Sequence, residues 1–273
     1  YDGYTSAGVA NGTGWKYTTS GASENDWNIK FEYPQGGTPT LTLKDAKLDQ
    51  IGDDGTTLYT KGANDPETGL PTYASTRTCS AILPKSGSVI DLKIVLQGEN
   101  VIEANNGIIR GGTSSTVHFK SVTIVGEPGS SLTGTGKGIG IQGTYGAPLT
   151  IENANINIST TNSGGSAAPI YVDGGGNLTI KNSTVTATNT KNAAIYASGT
   201  GNIIIENSTV NANSTFTSTS GAGAINTANT VTITNSTING ESSNGAAIAG
   251  TAGVTFNSGK TAEISDGLAF EGF

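Results

Sequence analysis

The sequence predicts an all-β fold: one single-stranded, right-handed parallel β-helix, a solenoid of about seven to eight coils. Two observations predict it. One is a repeat whose copies start roughly 23 to 30 residues apart, and the other is a composition suited to strands and tight turns. Among 273 residues there are 40 glycines and only 13% charged residues, and Ser, Thr and Asn fill most polar positions. Such residues favour strands and bends over helices. Ile, Val and Leu recur at regular places, which separates the chain from disordered sequences of similar polarity.

The repeat is explicit. LTIENANINIS from Leu149, LTIKNSTVTAT from Leu178, IIIENSTVNAN from Ile203 and VTITNSTINGE from Val231 align without gaps. Weaker copies begin at Leu41, Leu92, Val122 and Val254. From Leu92 onward the starts are 30, 27, 29, 25, 28 and 23 residues apart, but 51 residues separate Leu41 from Leu92. That excess predicts one insertion, from Gly52 to Ser80, between the first two coils. Within each copy aliphatic residues alternate with Thr, the period of a strand with one buried face. The inward positions therefore form two ladders. One runs Leu92, Val122, Leu149, Leu178, Ile203, Val231, Val254, and the other runs Ile94, Ile124, Ile151, Ile180, Ile205, Ile233, Phe256.

Asn153, Asn182, Asn207 and Asn235 follow two residues after the second ladder, where the chain must bend. Asn tolerates the left-handed conformation, and its amide can both donate and accept between coils, so an Asn ladder is expected. The Asn-X-Ser/Thr strings here match a glycosylation acceptor but more simply continue the turn. A second strand begins at Leu48, Ile156, Val185, Val210 and Ile238, and a third is marked by Ile141, Ile170, Ile195, Ile225 and Ile248. Three short strands and three turns make a coil, and the usual chirality of parallel crossovers makes the winding right-handed. Residues 39–260 hold the coils. Residues 1–38 read as lead-in strands and an aromatic cap built on Trp15, Tyr17, Trp27, Ile29, Phe31 and Tyr33. Leu268, Phe270 and Phe273, within 261–273, read as the cap of the other end, because an uncapped solenoid exposes core and strand edges.

The net charge of −7 and the presence of only two arginines, Arg77 and Arg110, argue against a nucleic-acid partner. No apolar run approaches the roughly 20 residues of a membrane span. The chain lacks an initiating Met, so a signal peptide is expected to have been removed. Cys79 is the sole cysteine and reads as a small buried or loop residue.

The LTI strings followed by an Asn turn, AIYA at 194–197 and GENVI at Gly98–Ile102 resemble the pectate-lyase-like β-helix repeats of bacterial cell-surface proteins. The resemblance implies secretion or surface attachment, and carbohydrate recognition or adhesion. Its motifs are structural, so they bear on fold more than on function.

Polysaccharide-cleaving chemistry requires two carboxyls across a glycosidic bond or a base beside a neutralised uronate. The sequence offers no such cluster. Asp53 and Asp54 adjoin each other on an extended chain and point apart. Glu152, Lys181 and Glu206 share one repeat position and read as a charge ladder of alternating sign. Arg110 with Glu103 reads as surface charge, and His118 as a strand residue. Calcium would need six to eight oxygen ligands, whereas the turn VDGGGN offers Asp173 alone, so neither a cofactor nor a metal is expected.

For binding, Tyr171 and Tyr196 are expected to project outward one above the other, a platform for the C–H face of a sugar. Such pairs also stabilise sheets without a ligand. Trp15 and Trp27 offer a similar platform or serve the cap. Thr184, Thr186, Thr209, Asn211, Thr237 and Asn239 form an outward array whose ice-binding reading is outweighed by the β-propensity of Thr. The leading expectation is a non-enzymatic extracellular module for adhesion or carbohydrate binding, with a polysaccharide or cell-surface glycan as partner. The alternatives are a lyase or hydrolase acting on an acidic polysaccharide, and a passive stalk.

Overall fold

The computed structural model describes residues 4–12, 15–18, 27–48, 61–64, 71–73, 80–84, 87–104, 107–136, 138–161, 168–190, 192–215, 223–243, 246–257 and 270–271. It is a parallel β-solenoid, with no helix among these residues. Three parallel sheets run its length. The first holds the strands from Thr40–Lys44 and Val89–Gln97 through Leu178–Lys181 to Gly253–Asn257. The second runs from Lys47–Leu48 through Thr184–Asn189 to Thr237–Ser242, and the third from Ser80–Ile82 through Ile195–Ala197 to Phe270–Glu271. About five turns are regular, slightly fewer than predicted. The pairing of Val89–Gln97 with Val117–Gly126 shifts register between Phe119 and Ser121, and the last first-sheet strand stops at Asn257.

The aliphatic ladders form the core. Leu149 pairs with Leu178, Leu178 with Ile203, and Ile203 with Val231, while Ile151, Ile180, Ile205 and Ile233 stack beside them. All are buried. The third sheet adds Ile141, Ile170, Ile195, Ile225 and Ile248, again in register. Each buried side chain contributes roughly 1.5–3 kcal/mol, so many small repeated gains hold the solenoid together. In the second sheet Ile156, Val185, Val210 and Ile238 stack, while the neighbouring column runs Ile102, Gly134, Ile158 and then only small residues, Ala187, Ala212 and Gly240. A Cβ at Gly134 would stand 2.3 Å from Ile108 Cδ1 and 2.7 Å from Ile158 Cδ1, so both side-chain ends would have to shift to admit a larger residue.

Two expectations need correction. Leu41 pairs with Ile94 rather than Leu92, and Leu48 with Ile102, so the first coil lies two residues out of the alignment read from sequence. Period-two alternation accepts a shift of two without moving any side chain to the other face. The insertion lies within the first coil, between its second strand Lys47–Leu48 and its third strand Ser80–Ile82, rather than between two coils. Inside it, Lys61–Asn64 pairs antiparallel with Pro71–Tyr73, and the remaining residues, including Asp53, Asp54 and Cys79, lie outside the described residues.

The Asn positions show a division of labour. Asn153, Asn182, Asn207 and Asn235 adopt φ of +52°, +48°, +48° and +48°, the left-handed bend their residue type allows, and their side chains are exposed. The side-chain bonds that link coils at this bend come from the next residue. Ser183 Oγ accepts the Ala154 N–H, Ser208 Oγ accepts the Ser183 N–H, and Ser236 Oγ accepts the Ser208 N–H, each at 3.1 Å. Each hydroxyl donates to the carbonyl two residues before it, at 2.7, 2.6 and 2.7 Å. A buried serine ladder thus runs beside the exposed asparagines. Asparagine-mediated stacking occurs at another corner, where Asn177 Oδ1 accepts the Asn202 N–H at 2.9 Å and Asn202 Oδ1 accepts from Thr230 Oγ1 at 2.6 Å. Asn100 turns inward at the early first bend. It is 1% exposed, accepts the Ala46 N–H at 2.9 Å and donates to the Gln97 and Ser131 carbonyls, both at 3.1 Å.

At the N-terminal end, Tyr4–Gly12 pairs antiparallel with Trp15–Thr18 and Ile29–Tyr33, and Ile29–Tyr33 pairs antiparallel with Thr40–Lys44. This antiparallel layer covers the edge that the first sheet would otherwise leave open. At the other end Phe270–Glu271 pairs with Ile248–Gly250, whereas Leu268 and Phe273 lie outside the described residues.

Candidate functional site

Tyr171 and Tyr196 are register partners on adjacent third-sheet strands. Their rings stack 5.5 Å apart with 15° between the planes. The faces are therefore turned toward each other, and Tyr171 is only 5% exposed while Tyr196 is half-buried. Burial pushes the Tyr196 phenol above its ordinary value, and the neighbouring Tyr171 adds to the shift. A pair of this kind contributes about 0.5–1.5 kcal/mol to packing, and what it offers a ligand is an edge rather than an open ring face.

Trp27 is half-exposed, with the Lys30 and Lys44 ammonium groups 5.6 and 5.2 Å from its ring centroid. Those cations compete for the π-surface a sugar would use. Trp15 begins the strand Trp15–Thr18 opposite Ala10, and its side chain lies outside the described residues.

The charged residues are dispersed. Glu152, Lys181 and Glu206 follow one another across three strands, as the repeat predicts. Asp173 Oδ1 accepts the Tyr145 N–H at 2.7 Å, and Gly174 and Gly175 follow at φ +66° and +89°, so VDGGGN is a turn held by its carboxylate. Burial raises the Asp173 carboxyl above its ordinary value, and the hydrogen bond from Tyr145 opposes that shift. Among the described residues no group of three His, Cys, Asp or Glu side chains could hold a metal.

The outward face of the second sheet has the most uniform chemistry. From Ser131 to Asn239 every outward residue is Ser, Thr or Asn, and carboxylates bound this array: Glu99 and Glu103 on the rung before it and Glu241 at the end of its last rung. They form columns in register, such as Thr133, Asn157, Thr186, Asn211 and Asn239. Asn211 Nδ2 donates to Thr186 Oγ1 at 3.2 Å, and Asn239 Nδ2 donates to Asn211 Oδ1 at 2.7 Å, so the amides are held in line. Rungs repeat about every 4.8 Å. The six-residue array read from sequence is one part of this face. The sequence did not disclose the Ser131 rung, because the glycines of SLTGTG hide the repeat there.

This face continues at its edge into a polar depression of about 220 Å³ lined by Glu127, Ser130, Asn153, Asn155, Asn182 and Thr184 among others. Glu127 is positioned by Gln97, whose Nε2 donates to its Oε1 at 2.7 Å. The exposed, left-handed asparagines thus sit beside a carboxylate and the columns of the second sheet.

Compared with protein-family models, curated proteins and solved structures, the chain matches none.

The residue that sequence reasoning missed is Tyr145. It lies two residues beyond its third-sheet strand, in the column of Gly174 and Gly199. Like them it has a positive φ, +56° against +66° and +71°. Its ring is 5.2 Å from that of His118 and it is 49% exposed. The available signal was a tyrosine at a bend where the next two coils carry glycine.

Proposed function

We propose that this chain is a non-enzymatic, extracellular carbohydrate-binding or adhesion module that contacts an extended, uncharged polysaccharide. The outward face of the second sheet carries the reading. It is an aligned, neutral array of hydroxyls and amides over successive rungs, continued by the depression at Glu127. Hydroxyls and amides both donate and accept, which suits a ligand made of hydroxyls, and a repeating surface suits a repeating polymer. Display on a bacterial surface, implied by the resemblance to pectate-lyase-like repeats, belongs to the same proposal.

The test is affinity electrophoresis of the protein in gels containing neutral polysaccharides (β-glucan, galactomannan, arabinoxylan) or polygalacturonate. Retardation is expected in at least one neutral gel and not with polygalacturonate. The double variant Asn157→Glu/Asn211→Glu, which places two charges in the central column, should bind about tenfold or more weakly. Release of reducing or unsaturated ends would replace this reading with a hydrolase or lyase. Failure to bind any polymer would leave a passive stalk.

A further inference from the structure

Tyr145 holds a conformation that its residue type disfavours. A bulky side chain at φ +56° sets Cβ against its own following carbonyl, and the equivalent bends at Gly174 and Gly199 avoid this by carrying no Cβ. The backbone requirement alone would select glycine here. The surroundings impose the conformation on tyrosine instead. Asp173 Oδ1 receives the Tyr145 N–H at 2.7 Å, the Asp173 carbonyl receives the Gly146 N–H at 3.1 Å, and the Ala147 N–H closes the turn onto the Thr144 carbonyl at 3.0 Å.

The ring rests on a fixed base. It lies 5.2 Å from His118 at a 45° tilt. His118 is wedged in turn: a Cβ on Gly112 would stand 2.4 Å from its Cβ, and its backbone N–H donates to the Ser88 carbonyl at 3.1 Å. On the next coil Gly174 runs bare beside Tyr145, so close that a Cβ there would be 3.3 Å from Tyr145 Cα. Neither Gly174 nor Gly199 carries a side chain to cover the ring, and Tyr145 stays 49% exposed. Strain of this kind persists where the environment over-determines it, and such positions concentrate at binding sites.

We propose that Tyr145 and Asp173 form an aromatic subsite for one ring of a neutral sugar. The sugar lays its C–H face on the tyrosine, and Asp173, with one oxygen committed to the Tyr145 N–H, accepts from a sugar hydroxyl with the other. A carboxylate beside the platform, on a chain of net charge −7, selects against uronates. The subsite rests on the carbohydrate-binding reading but uses a different surface, the corner between the third and first sheets.

The test uses the whole chain and its Tyr145→Gly and Tyr145→Phe variants. Binding to cellohexaose, mannohexaose and trigalacturonate is followed by isothermal titration calorimetry, and each protein is melted in parallel. Tyr145→Gly, which gives this bend the residue of the next two coils, should melt at the wild-type temperature or above. It should bind the neutral hexasaccharide about tenfold or more weakly, while Tyr145→Phe stays close to wild type. Wild-type affinity in Tyr145→Gly would overturn the subsite, and a melting point several degrees lower would make the ring a structural prop. If wild type binds no sugar, the carbohydrate reading falls and the subsite with it. If wild type binds and only Asn157→Glu/Asn211→Glu weakens binding, the subsite alone falls.

Discussion

Ser208→Ala removes one rung of the buried serine ladder without creating a steric problem, since Ala154 already occupies the same column. In the native chain Ser208 Oγ accepts the Ser183 N–H at 3.1 Å and donates to the Glu206 carbonyl at 2.6 Å. Alanine leaves the Ser183 N–H buried and unpaired, and an orphaned buried donor costs about 1–3 kcal/mol. The Ser208 N–H keeps its own acceptor, Ser236 Oγ, at 3.1 Å. Ser183→Ala would orphan a different group, the Ala154 N–H. Because Ser183 and Ser208 are bonded neighbours in one ladder, the two losses should not simply add, and the double variant should depart from the sum of the singles by about 0.5 kcal/mol or more. Urea unfolding followed by far-UV circular dichroism measures this, with an unchanged m value showing that the solenoid still unfolds over the same surface. A loss below about 0.5 kcal/mol for Ser208→Ala would refute the claim that these hydroxyls satisfy the bend.

Two further outcomes follow from the corners. Asn207→Ala should cost about 1–2 kcal/mol, because alanine gains nothing from a left-handed φ of +48° at an exposed position, whereas Asn207→Gly should be nearly neutral in thermal melts. Asp173→Asn keeps an oxygen for the Tyr145 N–H and removes a half-buried charge. Because burial raises the Asp173 carboxyl from its ordinary 3.8, its favourable contribution is present below that value and is lost as pH rises through the raised pKa. Wild type and variant should therefore melt alike at pH 3, with the variant higher by up to a few degrees at pH 7; a variant less stable at pH 7 would contradict the cause assigned to the shift.

The ladders were legible because burial of one face enforces period two on residues as distinctive as Leu149, Ile151, Leu178 and Ile180. The left-handed bends were legible from asparagine. The serine ladder was not, because serine is equally at home on a surface, and only stacking shows that Ser183 and Ser208 are buried. The first coil was misread by two residues because both Leu41 and Leu43 face inward, and alternation cannot choose between them. On the surface, the tyrosine pair at Tyr171 and Tyr196 was found by its repeat position, but the burial of Tyr171 depends on packing that alternation does not report. Tyr145 was hidden for the opposite reason: it lies in a bend, where the repeat prescribes a backbone shape and no side chain.

Amide chemical-shift mapping of the isotopically labelled protein, titrated with cellohexaose or mannohexaose, shows whether an uncharged polysaccharide lies along the outward face of the second sheet. Saturable shifts are expected at 155–157, 184–188 and 209–213, with a second group at Tyr145 and Asp173. Saturable binding that leaves the second-sheet residues unmoved would contradict this placement.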